Sequence, residues 1–268
     1  MTREDIAIEA DGHSAALRAY LLDRGFDGVR RPDAPAVLIC PGGGYGFVSD
    51  REGEPIALRF NAAGFHAFVL DYAVAPQATY PTALRQAAKS MALIRTRAAE
   101  WGIDSERIAV CGFSAGGHLA GSLAVCYDEP LVRSVLKKGE SARPDAQILC
   151  YPVITGESHA HVGSFQNLLG EGYDEEAARS VSLEYHVTKD TPPAFLWHTV
   201  DDGCVPVENS MLYACALRRA GVPFEMHLYE TGPHGLSLCS AVTQMEAPDC
   251  AGWLDLAVRF VQRLPGKA

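Results

Sequence analysis

The sequence predicts an α/β fold, a mostly parallel central sheet with helices on both faces, on three observations. Short apolar runs rich in Val, Ile and Phe recur along the chain, segments with helical spacing lie between them, and 268 residues at 48% hydrophobic content suffice to bury one substantial core. Strands alternating with helices imply parallel pairing, because a right-handed crossover needs a covering element. A single domain over residues 1–268 is expected.

The strand-like runs are 36–40, 66–70, 108–111, 147–151, 194–200 and 224–229, each short and apolar enough for a strand buried on both faces. Helical spacing is clearest over 80–101, where Leu84, Ala87, Ala88, Met91, Ala98 and Trp101 fall near one face. A second helix is expected over 207–220, stopped by Gly221 and Pro223, and a third over about 252–263, before Pro265-Gly266. Residues 155–191 lack strong periodicity apart from a helical pattern near 174–183. An insertion of that length in a compact domain is expected to serve as a cap or lid over a site.

Composition excludes several classes of function. A net charge of −10 and a pI near 5.3 argue against a nucleic-acid partner, which needs clustered Lys and Arg to displace counterions. No apolar run approaches the roughly 20 residues of a bilayer-spanning helix, and Met1-Thr2-Arg3-Glu4-Asp5 lacks the order of a signal peptide, so a soluble, cytoplasmic protein without a membrane partner is expected. The eight Cys are scattered and form no Cys-x-x-Cys pair, which predicts reduced thiols; Cys40, Cys111 and Cys150 lie in or beside strand-like runs as small buried hydrophobes. The oligomeric state is not legible.

Gly112-Phe113-Ser114-Ala115-Gly116 follows the run 108–111 and precedes a small-residue stretch able to form a helix. Strand, sharp turn and helix are the setting of a nucleophile elbow, in which Ser114 is held in a strained conformation and side chains at 112 or 116 would collide with the flanking elements. A serine hydroxyl needs a base to take its proton during attack. Of nine histidines, His234 is the candidate, because Gly232-Pro233-His234-Gly235 places it in a loop just beyond the run 224–229. His66, His198 and His227 lie in or at strands, His118 faces helix packing, and His159, His161 and His186 belong to the expected cap.

The base needs a carboxylate to fix its tautomer. Asp201 and Asp202 both follow the run 194–200, at the carboxyl end where the sites of open α/β sheets gather. Asp201 is favoured because it emerges first, leaving Asp202 to cap the next helix. No metal or cofactor is expected, since no further ligand set with metal-site spacing accompanies His198, Asp201 and Asp202. Pro41-Gly42-Gly43-Gly44-Tyr45 leaves the run 36–40; its Gly43 and Gly44 N–H groups, with that of Ala115, are suited to stabilise the oxyanion of acyl transfer. Tyr45 and Phe47 are the candidate substrate contacts.

Together these motifs, with Asp71-Tyr72-Ala73-Val74-Ala75-Pro76, Trp197-His198-Thr199-Val200-Asp201-Asp202 and Val205-Pro206-Val207-Glu208-Asn209-Ser210, resemble bacterial esterases related to hormone-sensitive lipase, especially their acetylxylan-esterase-like, xylanase-named branch. The resemblance spans roughly residues 35–262. It implies an α/β-hydrolase fold, a Ser-Asp-His triad with Asp201 as its acid, no metal, and a small-molecule ester substrate, in particular acetylated sugars or glycosides. Pro41 stands where such relatives begin the loop with His, while the Gly donors are kept. A peptidase or an acyltransferase on the same fold, and a non-catalytic ligand-binding module, are the alternatives.

Overall fold

A computed structural model describes residues 1–264; the expected Pro265-Gly266 stop lies outside them. The chain opens with two strands that sequence periodicity did not flag, β1 (Thr2–Ala10) and β2 (His13–Leu21). They form an antiparallel hairpin around Asp11 and Gly12, both at positive φ (52° and 79°), as a two-residue turn matched to strand twist requires. A small hairpin, β3 (Gly25–Phe26) and β4 (Val29–Arg30), follows.

Alternation then begins: β5 (Ala34–Cys40), α1 (Glu54–Ala62), β6 (His66–Asp71), α2 (Thr82–Thr96), α3 (Ala98–Trp101), β7 (Ile103–Phe113), α4 (Ala115–Cys126), α5 (Pro130–Arg133) and β8 (Ala146–Cys150). Next come α6 (Val162–Leu169), α7 (Glu175–Ser180), β9 (Ala194–Thr199), α8 (Glu208–Ala220), β10 (Phe224–Tyr229) and α9 (Trp253–Gln262). The helix expected over 80–101 divides at Arg97, whose φ and ψ of −93° and 7° close α2; Gly102 then ends α3 in the left-handed conformation (φ 75°).

Eight strands form one sheet in the order β1-β2-β6-β5-β7-β8-β9-β10. From β6 to β10 neighbouring strands are parallel, and β2 joins β6 antiparallel. Side-chain alternation divides the core: Leu38, Cys40 and Val110 pack with Leu84 and Met91 of α2, Leu119 of α4 and Tyr213 of α8, whereas Val37, Ile39 and Cys111 face Phe60 of α1 and Trp253 of α9. This is the expected α/β sheet covered on both faces. Because β5 has β6 on one side and β7 on the other, the connections diverge at the carboxyl ends of β5 and β7, which opens the crevice where open α/β sheets place their sites. Among the described residues no helix is long and apolar enough to cross a membrane.

Candidate active site

The turn after β7 sets Ser114 at φ 54° and ψ −120°, directly before the first residue of α4. A positive φ is unfavourable for a residue with a Cβ and is kept only where the surroundings enforce it. Those surroundings allow no side chain: a Cβ at Gly112 would lie 2.0 Å from the Gly116 carbonyl oxygen, and one at Gly116 would lie 2.1 Å from the Cys40 carbonyl oxygen. The hydroxyl is therefore held at the amino end of a helix, where the backbone dipole favours developing negative charge.

His234 comes from the loop after β10. Its Nε2 lies 2.8 Å from Ser114 Oγ, and its Nδ1 lies 2.7 Å from Oδ2 of Asp202. The expectation of Asp201 is thus corrected. β9 ends at Thr199, not at residue 200, and a turn closed from the Asp202 N–H to the Thr199 carbonyl (3.4 Å) carries the chain back. Val200 and Asp201 are left on the outside of that turn, and Asp202 faces inward with its side chain 1% exposed. Asp201 accepts instead from the Gly232 N–H at 2.7 Å, at the base of the histidine loop. Nor does Asp202 cap α8: its Oδ1 accepts from the N–H groups of Cys204 (2.8 Å) and Val205 (3.0 Å).

A second imidazole, His198 of β9, has its Nε2 3.3 Å from Asp202 Oδ2 and its Nδ1 2.8 Å from Ser210 Oγ. Burial alone would raise the Asp202 carboxyl. Hydrogen bonds from His198 and His234, the charge of His234 and the Cys204 N–H more than offset this, and hold the group well below the usual carboxylate range.

The glycine loop after β5 lies beside the hydroxyl. Gly43 and Gly44 take φ of 124° and 61°, and both line a cleft of about 430 Å³ together with Ser114, His234, Phe47 and His161. Among the described residues nothing accepts from the N–H groups of Gly43, Gly44 or Ala115. The Gly42 N–H, in contrast, is taken by Glu52 Oε2 at 2.8 Å. Phe47 stands exposed at the cleft rim.

Tyr45 is a further correction. It is 3% exposed and lies outside the cleft, its hydroxyl 2.8 Å from Nδ1 of His118, so its phenol supports the glycine loop from behind. His161, at the start of α6, brings the segment between β8 and β9 to the cleft, and Asn167 of α6 donates to the Gly44 carbonyl at 2.8 Å. A larger cleft of about 710 Å³, lined by Asp201, Glu246 and Asp249 among others, adjoins the first at Cys204 and His234. It does not reach Ser114, so the smaller cleft is where an acyl group can meet the hydroxyl.

Sequence reasoning named Asp202 only as the second choice and read His198 as a strand residue; it missed Glu52 and the reach of His161. A hydroxyl, an imidazole and a carboxylate in hydrogen-bonding sequence, next to unengaged N–H donors, can carry out nucleophilic acyl transfer.

Comparison with known proteins places the chain in a family. Residues 26–217 match the BD-FAE family. The chain is 39% identical over 227 residues to endo-1,4-beta-xylanase B of Butyrivibrio fibrisolvens, a match covering 84% of this chain and 35% of that protein. It is 33% identical over 210 residues to the acetylxylan esterase of Xylanibacter ruminicola, covering 76% of this chain and 41% of the relative. The chain therefore spans between a third and a half of the length of these curated relatives. The crystal structure of an acetyl ester-xyloside bifunctional hydrolase from Caldicellulosiruptor lactoaceticus superposes with a TM-score of 0.82 at 39% identity, covering 94% of this chain and 89% of that one. The chain belongs to the BD-FAE family and has the α/β-hydrolase fold.

Proposed function

We propose that the chain is a serine carboxylesterase that removes small acyl groups, chiefly acetyl groups carried by sugars or glycosides. The observation carrying this reading is the continuous series Ser114 Oγ, His234 Nε2, His234 Nδ1, Asp202 Oδ2, with contacts of 2.8 and 2.7 Å, opening on a cleft that has free backbone donors. Ser114 Oγ attacks the ester carbonyl carbon while His234 Nε2 takes its proton. The negative charge that develops on the carbonyl oxygen is met by the N–H groups of Gly43, Gly44 and Ala115. Collapse of the tetrahedral species breaks the bond to the alcohol oxygen, which receives the proton from His234, and an acyl-Ser114 ester remains. Water, deprotonated by the same nitrogen, attacks that ester; collapse breaks the bond to Ser114 Oγ, which takes the proton back from His234, and the carboxylic acid is released.

Asp202, ionised and buried, holds the imidazole with Nδ1–H toward itself and balances the imidazolium. The acetyl and sugar parts of the reading are supported by the acetylxylan esterase and by the acetyl ester-xyloside hydrolase, which bear those substrates in their names. Residues 155–191 act in this reading as a cap, with His161 and Phe47 touching the substrate.

The test compares rates on p-nitrophenyl acetate, longer p-nitrophenyl esters and a peptide anilide, with acetate release from acetylated xylosides measured alongside. Acetyl esters should be hydrolysed fastest, and Ser114→Ala should lower kcat by on the order of 10⁴-fold or more. Equal rates for wild type and Ser114→Ala would end the esterase reading; a faster anilide would replace it with a peptidase.

A further inference from the structure

Beneath the triad lies a carboxylate that the acyl-transfer scheme does not use. Glu52 is 4% exposed, and a buried carboxylate persists only when its oxygens are satisfied. Both are. Oε2 accepts from the Gly42 N–H at 2.8 Å, and Oε1 accepts from the Tyr151 hydroxyl at 2.7 Å. The contact to Gly42 is enforced by space as well as charge, since a Cβ there would lie 2.7 Å from Glu52 Oε2, 2.9 Å from the Phe113 carbonyl oxygen and 3.1 Å from Ser114 Cβ.

Tyr151 continues the connection. Its hydroxyl accepts from the Ser237 N–H at 2.8 Å, three residues beyond His234, and its ring meets the His234 imidazole edge to face, with centroids 5.1 Å apart and planes at 71°. The ring is held in turn by Trp197 (centroids 4.9 Å) and by a backbone hydrogen bond from Tyr151 to the Trp197 carbonyl (2.7 Å). Tyr151 itself sits at φ 36°, a conformation that the packing must impose. One buried pair thus joins the loop holding the free glycine donors to the loop holding the base, with Glu52 at the wall of the cleft and Tyr151 behind it.

We propose that Glu52 and Tyr151 are positioning residues that keep the oxyanion loop and the histidine loop in mutual register, so that transition-state charge is met without reorganisation. The proposal rests on the esterase reading of the site. Tyr151 does not line the cleft, and Glu52, which does, has both carboxylate oxygens engaged by Gly42 and Tyr151, so their removal acts on the transition state more than on ground-state binding. Glu52→Gln preserves size but cannot satisfy the site. With its oxygen toward Gly42, its amide faces a phenol already accepting from Ser237, and the phenol's own hydrogen loses its acceptor; reversed, two N–H donors face each other. Tyr151→Phe keeps the ring against His234 and deletes both hydroxyl contacts.

The experiment measures kcat and KM on p-nitrophenyl acetate, inhibition by a small alkylboronic acid that mimics the tetrahedral species, thermal unfolding, and the fraction of reactive serine by fluorophosphonate titration. It uses wild type, Glu52→Gln, Tyr151→Phe, the double variant and Ser114→Ala. Per titrated serine, each single variant should lose roughly 10- to 100-fold in kcat with KM changed little, boronate affinity should weaken by a similar factor, and the double variant should be barely worse than either single. If a variant unfolds, the other, with titration restricting the comparison to live sites, decides the matter. Unchanged kcat and boronate affinity per live site would overturn the positioning role while leaving the esterase reading intact. Failure of wild type to outpace Ser114→Ala would overturn both.

Discussion

Two neighbouring carboxylates, Asp201 and Asp202, differ by one step around a turn and end in different surroundings. Asp202 faces His234 and His198 in a buried pocket, whereas Asp201 is exposed and holds the Gly232 N–H. In the proposed esterase this assigns the fixing of the imidazole to Asp202. Asp202→Asn should reduce kcat on p-nitrophenyl acetate by on the order of 10³- to 10⁴-fold, because an amide at that position stabilises the wrong tautomer and no imidazolium. Asp201→Asn keeps an oxygen that can accept from Gly232 and should change kcat by no more than about threefold, consistent with the small worth of an exposed polar contact. The opposite ranking of the two variants, with both folded by circular dichroism, would return the role to Asp201. Glu52 illustrates why individual residues are harder to read than motifs. It stands in Asp50-Arg51-Glu52-Gly53-Glu54, a stretch that looks like a solvated charged face, and only the fold shows that the middle carboxylate turns under the glycine loop.

At the scale of elements, the six parallel strands were legible to within about five residues, five of them because burial on both faces writes them as apolar runs, while the edge strand β10, partly exposed throughout, showed through its aromatic and aliphatic content alone. The hairpin of β1 and β2 was not, since β1 is an edge strand whose outward side carries Arg3, Asp5 and Glu9 and whose apolar content is diluted accordingly. The elbow was legible because its constraint is steric and local. That constraint is measurable: Gly116→Ala would drive a Cβ to within 2.1 Å of the Cys40 carbonyl oxygen and 2.2 Å of the Pro41 carbonyl oxygen. Backbone on both sides cannot yield cheaply, so urea unfolding should show a loss of about 3 kcal/mol or more. Gly203→Ala, where nothing lies within 4 Å of the added carbon, should stay within about 0.5 kcal/mol of wild type. Equal midpoints for the two variants would show that the elbow tolerates a side chain and that its glycines have another purpose. The weak periodicity of residues 155–191 gave no sign of their reach, because the contacts of His161 and Asn167 with the site depend on how α6 lies across the glycine loop.

Across the whole molecule, two buried histidines outside the Ser114–His234–Asp202 series link stability to pH. His66 accepts from the Leu22 N–H on Nδ1 and donates from Nε2 to the Gly102 carbonyl; His118 accepts from the Tyr45 hydroxyl on Nδ1 and donates from Nε2 to the Val181 carbonyl. In both, a second proton would have to enter at a nitrogen already facing a donor. Burial, the larger cause in each, together with the neighbouring positive charge of Arg31 and Arg24 for His66 and of His186 for His118, outweighs the carbonyl contacts and pushes both imidazoles down to about 4. An unfolded histidine titrates near 6.5, so between about pH 6.5 and 4 the unfolded chain binds protons that the folded chain refuses. Stability from this source is complete above about pH 6.5 and is lost as pH falls toward 4, by on the order of 2–3 kcal/mol per histidine at pH 4.5. Asp202, held below the usual carboxylate range, adds its own loss only under about pH 4. Urea midpoints between pH 4.5 and 7.5 should therefore fall steeply on the acid side. His66→Gln and His118→Gln, each less stable than wild type at pH 7, should each remove about one proton from the pH dependence of unfolding between pH 5 and 6. A slope unchanged in both variants would show that these rings charge freely within the fold, and would place the acid sensitivity of the molecule elsewhere.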